Sequence, residues 1–139
     1  MSSNKLSINC IFYVDFNIET GIELIHQEPA DFIKMEEIER LSIFLTPRAK
    51  FCDKIVNIFL GTCYLISYPR LLVNKSYKRS NFEFNCCLIV SKKEYEINFM
   101  LYDIIVKNIC QFLEMKEMKE GFNFLSTHPE FIREYLKEI

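Results

Sequence analysis

One stretch near the N-terminus restricts the possible folds more than any other. Residues 6–16 (LSINCIFYVDF) form a nearly continuous run of apolar, β-branched and aromatic side chains. A strand with one face in water would alternate between apolar and polar residues, whereas a continuous run is typical of a strand covered on both faces. We therefore expect a central strand with helices packed on both sides of its sheet.

Four further segments share the β-branched and aromatic character and the flanking turn residues of strands. The predicted strands are residues 6–16, 22–27, 54–60, 63–73 and 82–90. The first two are joined by a turn containing Gly21, which predicts an antiparallel hairpin. Pro69 interrupts the fourth strand, and because proline cannot donate to a strand ladder, it favours an edge position or a bulge there.

Three helices are predicted between and after these strands. Asp31 is placed to cap the first, which runs to about Arg40, and residues 42–49 are assigned to a connector. The spacing from Ser91 to Glu94 is that of a capping box, and Gly121 marks the end of the long helix that follows. Its inward residues are predicted to be Ile97, Leu101, Ile104, Ile105, Ile109, Phe112 and Leu113. A second box, from Thr127 to Glu130, predicts the start of the final helix.

The resulting order is ββαβββαα, which predicts an α+β fold: a three-layer α/β/α sandwich around a five-stranded antiparallel sheet. With 139 residues, the chain has the length of one domain and no room for a second. Residues 6–90 supply the strands and the first helix, and residues 91–139 supply the C-terminal helices. This arrangement resembles the longin fold.

Composition excludes several functions. The net charge of -2 gives the whole molecule no attraction for nucleic acid. The six cysteines lie mostly in apolar runs without a C-x-x-C pair, which favours free thiols in a reducing compartment and no metal site. The three glycines are too scattered to cradle a phosphate, so no cofactor is expected. Neither a signal peptide nor a membrane span is evident, so we expect a cytoplasmic protein that meets membranes only through partners.

The densest basic cluster is the turn in residues 74–85 (NKSYKRSNFEFN), which holds Lys75, Lys78 and Arg79. Taken alone, these charges predict a solvated surface loop, and three are fewer than the 4 to 8 typical of a lipid-binding cluster. His26 has no neighbouring nucleophile in the sequence, so it is not a candidate general base. The residues therefore indicate no self-contained active site.

The turn and the segments before it resemble the N-terminal part of the nitrogen permease regulator 2 family. The opening hairpin and first helix resemble the family at Cys10-Ile11-Phe12, Phe16, Gly21, Gln27, Pro29 and Asp31-Phe32-Ile33. The later family signature falls on Pro69, Tyr77, Arg79, Phe84 and Asn85. The order of these matches, from Cys10 to about Val90, makes the resemblance specific. Two departures are Ser80, where the family often has asparagine, and the length, since family members continue past their longin domain.

The resemblance implies a subunit of the nutrient-sensing GATOR or SEA-type complex, which stimulates GTP hydrolysis by a Rag-type GTPase and restrains TOR signalling at the vacuole or lysosome. The family's catalytic arginine lies two positions after the signature tyrosine, which implies an arginine finger at Arg79. Tyr77, Lys78, Asn81 and Asn85 would support its loop. An exposed guanidinium can enter a partner's nucleotide site and neutralise phosphate charge.

The family also implies pairing with the longin domain of a nitrogen permease regulator 3 subunit, through first helices or strand edges, with a homodimer as the substitute in isolation. The 13 Phe and 7 Tyr residues are more than so small a domain needs to bury. An alternative from a different class is a non-catalytic longin adaptor or scaffold in vesicle trafficking or guanine-nucleotide exchange complexes. The sequence leaves both hypotheses open.

Overall fold

Six strands and four helices make up the fold. The computed structural model describes residues 7–17, 19, 21–47, 52–77 and 81–139. Within these residues the elements are β1 (Ile8–Asn17), β2 (Gly21–Glu28), α1 (Met35–Leu45), β3 (Val56–Phe59), β4 (Cys63–Ser67), β5 (Arg70–Val73), β6 (Asn81–Ser91), α2 (Lys92–Glu120), α3 (Phe124–Thr127) and α4 (Pro129–Lys137). The predicted mixed α/β class and the order of strands and helices are confirmed.

The strands form one antiparallel sheet in the order β2-β1-β6-β4-β3, and β5 pairs with β6 beyond the end of β4. The sixth strand arises because the predicted strand over residues 63–73 is split. Ser67 in β4 lies opposite Cys87, and Arg70 in β5 lies opposite Phe84, so both strands follow one register along β6. Pro69 thus interrupts a ladder that continues on its far side, as the missing N–H of proline requires.

The sheet separates two hydrophobic cores, because residues along the central strands alternate between its faces. Tyr13 of β1 packs with residues of α2, α3 and α4, whereas its neighbours Phe12 and Val14 pack with residues of α1. The adjacent Cys86 and Cys87 of β6 divide between the same two cores, as the strand geometry predicted. β1 is therefore covered on both faces, which confirms the three-layer arrangement.

The first helix begins later and ends later than predicted. Asp31 is not its cap but adopts a left-handed backbone with φ of 61°, and α1 starts at Met35. The reason lies in Gln27, whose side-chain oxygen accepts hydrogen bonds from the backbone N–H groups of Phe32 and Ile33. These bonds hold the segment outside the helix. At the other end α1 continues to the fully buried Leu45, so residues 42–45 belong to the helix and not to a connector.

The long helix α2 begins and ends as predicted, but it buries a different face. Ser91 caps its start by accepting a hydrogen bond from the Glu94 N–H, and Gly121 follows its last residue. Ile97, Leu101 and Ile104 are exposed, which contradicts their predicted inward position. The buried residues are Tyr95, Tyr102, Val106, Ile109, Cys110, Leu113 and Glu117.

The polar ends of the two buried tyrosines explain this choice of face. The hydroxyl of Tyr95 donates to Asp103 at 2.7 Å, and that of Tyr102 donates to Glu94 at 2.7 Å. Each ring therefore packs in the core while its hydroxyl stays hydrogen-bonded, as buried tyrosines require. The non-helical backbone at Asn98 also breaks the strict periodicity on which the prediction depended.

The second predicted capping box is wrong. Thr127 is the last residue of α3, and its hydroxyl donates back to the carbonyl oxygen of Asn123 at 2.7 Å. His128 is the N-cap of α4, and Pro129 is the first residue of that helix. Proline is favoured at this position because the first N–H of a helix has no partner within the helix.

Candidate functional site

The candidate arginine, Arg79, belongs to the hairpin connection between β5 and β6. Residues 78–80, which include Arg79 and Lys78, lie outside the described residues, but the chain on both sides of them is described. Asn81 is the first residue of β6 and lies opposite Val73, the last residue of β5. The connection therefore starts and ends at a paired position of the sheet.

Tyr77 anchors the upstream side of this connection in the core. Its side chain is buried; the ring stacks on Phe82 at a centroid distance of 5.6 Å and meets Phe122 edge-on at 5.3 Å. The hydroxyl donates a hydrogen bond to the carboxylate of Glu117 near the end of α2. Burial, together with the hydrogen bond to Glu117 and its negative charge, raises the pKa of Tyr77. The phenol is therefore a fixed neutral donor.

Glu117 is a fully buried carboxylate that links three segments. Besides the Tyr77 hydroxyl, it accepts hydrogen bonds from the backbone N–H groups of Asn123 and Leu125, each at 2.8 Å. Three donors satisfy a buried charge that would otherwise be strongly destabilising. The connection before Arg79 is thus held to the turn that joins α2 to α3.

Asn85 fixes the downstream side to the opposite layer. This fully buried side chain accepts a hydrogen bond from the Tyr68 N–H at 3.2 Å and donates one to the Leu45 carbonyl oxygen at 2.9 Å. The first bond lies beside Pro69, where the ladder is interrupted, and the second reaches the end of α1. Of the four residues predicted to support the loop, Tyr77 and Asn85 are buried anchors, Asn81 is an exposed strand terminus, and Lys78 is not described.

A second arginine, Arg70, is close in sequence but is held by carboxylates. Its Nε and Nη2 contact Glu114 Oε1, and its Nη1 contacts Asp53 Oδ1, each at 2.6 Å. The guanidinium also lies 4.5 Å from the centre of the Tyr68 ring, and the residue is nearly buried. Arg70 would have to break its ion pairs with the partly buried Glu114 and the exposed Asp53 before it could enter another protein's site, so it is unsuited to that role.

Next to the anchored connection lies an acidic cleft of about 630 Å³. Its lining residues include the four carboxylates Asp15, Glu19, Glu23 and Glu83, together with Tyr77 and Asn81. Asp15 and Glu23 are directly opposite each other in the β1–β2 ladder. Burial, and secondarily the charge of Glu23, raises the pKa of Asp15 to about 6. Such a cleft repels phosphate, so it is unsuited to bind a nucleotide.

Sequence reasoning missed Glu117 and Arg70. A signal for Glu117 was present, because it follows Leu113 by four residues on the buried face of α2. No group of histidine, cysteine and carboxylate side chains suited to a metal occurs among the described residues. The described helices are also too short or too polar to cross a bilayer.

The antiparallel sheet, its two helical layers and the hairpin anchored beside a cleft define a longin-like domain. Comparison with protein families matches residues 6–136 to nitrogen permease regulator 2. Because this match covers nearly the whole chain, the protein belongs to the nitrogen permease regulator 2 family. It is a nitrogen permease regulator, and its family is compatible with a place beside other regulators in a nutrient-sensing complex.

Proposed function

We propose that this protein is a subunit of a nutrient-sensing complex that stimulates GTP hydrolysis by a Rag-type small GTPase and so restrains TOR signalling. In this proposal Arg79 is an arginine finger supplied in trans, and a nitrogen permease regulator 3-like longin subunit is the partner within the complex. The partners recruit the chain from the cytoplasm to the vacuolar or lysosomal surface.

The observation that carries the proposal is the anchoring of the chain on both sides of Arg79. Along the sequence, Arg79 is two residues from buried Tyr77 and two residues from Asn81, which is paired in the sheet. Two residues span at most about 7 Å between Cα atoms, so both tethers are short. A finger benefits from such tethers, because a side chain held close to its working position loses less freedom in the transition state.

The surroundings favour action on a partner's nucleotide over a nucleotide site in this chain. The adjacent cleft carries four carboxylates, which disfavour a bound phosphate. Arg70 is occupied by Glu114 and Asp53, so it is a poorer candidate for the finger than Arg79. A guanidinium on a tethered hairpin can neutralise charge that develops on a phosphate held by another protein.

Single-turnover GTP hydrolysis by the reconstituted complex with a Rag-type GTPase tests the proposal. Arg79→Ala is expected to lower the rate by about 10³ to 10⁵, the contribution typical of an arginine finger. Arg79→Lys is expected to restore little, since an ammonium cannot span two phosphate oxygens. Binding of the GTPase should persist in both variants, because the finger acts in the transition state.

Lys75→Ala is the matched control, because Lys75 is an exposed cation in the same hairpin connection. It should leave the hydrolysis rate unchanged, which separates the finger from a general effect of positive charge. An unaltered rate in Arg79→Ala, with the complex intact, would contradict the catalytic role. The adaptor or scaffold function would then be the better hypothesis.

A further inference from the structure

One buried carboxylate, that of Glu117, joins the segment before the candidate loop to the turn between α2 and α3. Its Oε2 accepts hydrogen bonds from the Tyr77 hydroxyl and the Asn123 N–H, and its Oε1 accepts one from the Leu125 N–H. Phe122, in the same turn, adds an edge-on contact with the Tyr77 ring. We call this set of contacts the Glu117 clamp.

The main chain of Tyr77 is fixed independently of its side chain. Its N–H donates to the Asn74 carbonyl oxygen at 3.1 Å, and the Ser76 N–H donates to the Asn74 side-chain oxygen at 2.9 Å. These bonds close a local turn immediately before the tyrosine. Both the backbone and the side chain of Tyr77 are therefore held, so the chain that leads to Arg79 starts from a defined position.

The ring of Tyr77 belongs to a row of aromatic contacts that reaches the centre of the sheet. Tyr77 stacks on Phe82, Phe82 on Phe84, and Phe84 on Tyr13, each pair at 5.6 Å between ring centroids. Phe84 and Tyr13 are fully buried. Removal of the Tyr77 hydroxyl alone should therefore leave the ring in place, which allows the bond to Glu117 to be tested by itself.

The use of a charged group for this contact favours a role in positioning over a role in stability. A buried carboxylate loses its hydration, and well-packed apolar residues in its place are often equally stabilising or more so. Apolar packing does not specify direction, whereas hydrogen bonds do. Three hydrogen bonds to Glu117 fix the Tyr77 hydroxyl relative to two N–H groups of the turn and α3. The Glu117 clamp thus specifies one arrangement of Tyr77 and this turn.

We propose that Glu117 is a positioning residue for the arginine finger, which acts through Tyr77 and has the turn between α2 and α3 as its support. The inference rests on the proposed function of Arg79 and adds the contact that keeps the guanidinium near its working position. A displacement of about 1 Å can lower a rate about 100-fold, because the reacting groups must be aligned in the transition state. Loss of one tethering bond should cost less than loss of the guanidinium itself.

Single-turnover GTP hydrolysis over a range of concentrations of the reconstituted complex tests the inference. Tyr77→Phe keeps both ring contacts and removes the hydroxyl bond to Glu117. We expect the rate at saturation to fall about 10-fold. The concentration that gives half-maximal rate should stay unchanged, because Glu117 is fully buried and cannot touch the GTPase.

Tyr64→Phe is the matched control, because it also removes a hydroxyl bond to a glutamate of α2, here the exposed Glu96. It should change neither quantity. Glu117→Gln should lower the rate at saturation as well, since an amide oxygen and nitrogen cannot accept bonds from all three donors. If Glu117→Gln does not fold, Tyr77→Phe decides, because it leaves both backbone bonds to Glu117 in place.

The concentration dependence separates positioning from a general structural defect. A defect that reduces the amount of folded complex raises the half-maximal concentration and leaves the rate at saturation unchanged, and this result would overturn the inference. Equal losses in Tyr77→Phe and Tyr64→Phe would also overturn it. A normal rate in Tyr77→Phe, with a large loss in Arg79→Ala, would overturn the role of Glu117 and leave the finger intact. A normal rate in Arg79→Ala would remove both.

Discussion

At the residue scale, the contact between Tyr77 and Glu117 determines how firmly the candidate loop is held. Tyr77→Phe keeps the ring in its stack with Phe82 but removes one of the three donors to a buried carboxylate. We expect the free energy of unfolding to fall by about 1–3 kcal/mol, measured by urea denaturation. Tyr64→Phe is the control, because its hydroxyl donates to the exposed Glu96. Equal losses in the two variants would contradict the anchoring role of Glu117.

Unlike the contact between Tyr77 and Glu117, the charged carboxylate of Asp15 destabilises the folded protein, because burial and the nearby Glu23 disfavour its negative charge. Its pKa in the folded protein is about 6, against a usual value of 3.8, first through burial and then through Glu23. The folded state therefore holds this proton more tightly, so the associated stability is present at low pH and is lost as pH rises through 6. We expect Asp15→Asn to raise the unfolding free energy at pH 7.5 by roughly 1–2 kcal/mol, after allowance for partial solvent screening.

Thermal melts at several pH values would check this expectation for Asp15. The difference between Asp15→Asn and the original chain should shrink as pH falls from about 7 towards 4, because Asp15 becomes neutral in both states. Glu39→Gln, on the exposed face of α1, serves as the control and should change little at any pH. A difference that grows on acidification would contradict the sign of the shift.

Some residue positions follow from sequence alone and others do not. The alternation of side chains along a strand was enough to predict that Cys86 and Cys87 lie in opposite cores, because local strand geometry determines which face of the sheet each side chain occupies. For Glu117 the spacing from Leu113 indicated the inward face of α2, but the residue type opposed it, since a carboxylate is normally predicted to face solvent. Two of its three donors are backbone N–H groups of the turn and α3, which approach only after the chain reverses past Gly121.

At the element scale, Asn85 joins β6 to the break after β4 and to the end of α1. Asn85→Leu keeps the branched shape and the number of side-chain heavy atoms but leaves the Tyr68 N–H and the Leu45 carbonyl oxygen without this partner. We expect a loss of about 2–4 kcal/mol, since each unsatisfied buried group costs about 1–3 kcal/mol. Hydrogen exchange should show reduced protection of the Tyr68 amide. Asn57→Leu, at an exposed position of β3, removes one hydrogen bond to the Tyr95 hydroxyl, which keeps its bond to Asp103, and should cost much less.

The helices show which boundaries and buried faces can be predicted from local sequence patterns and which depend on tertiary contacts. The start of α2 was predictable because Ser91 and Glu94 interact within one turn. The start of α1 was not, because Gln27, in a separate strand, binds the segment that precedes the helix. The buried face of α2 was misassigned because isoleucine and leucine are the default core residues, whereas here tyrosines with satisfied hydroxyls occupy the core.

At the scale of the whole molecule, one strand predicted the architecture. Because β1 is apolar on both sides, it required a helical layer on each face, and the two separate cores meet that requirement. Which surfaces bind other proteins could not be predicted in this way, since an apolar residue that faces a partner has the same pattern as one that faces the core. Ile97, Leu101 and Ile104 show the difficulty: their pattern predicted burial, but they are exposed.

The surface of α1 provides the test of heterodimer formation. Ile43 is 62% exposed on α1, and the proposed pairing of first helices or outer strands would bury it against the nitrogen permease regulator 3-like longin subunit. We expect Ile43→Glu to weaken that complex at least about 10-fold, because a charge in the centre of an apolar contact loses its hydration without gaining a partner. Isothermal titration calorimetry with the purified partner domain would measure the change.

Ile104→Glu is the matched control for this last prediction, because it adds the same charge to an exposed isoleucine on α2, on the other side of the sheet. Heterodimer affinity should be unchanged in Ile104→Glu. Since both side chains are exposed, neither substitution should lower the melting temperature appreciably. If both variants bind the partner normally, pairing through α1 is wrong. The outer edges of β2 and β3 then become the next surfaces to test, because among the described strands each of them pairs on one side only and can accept a further strand on the other.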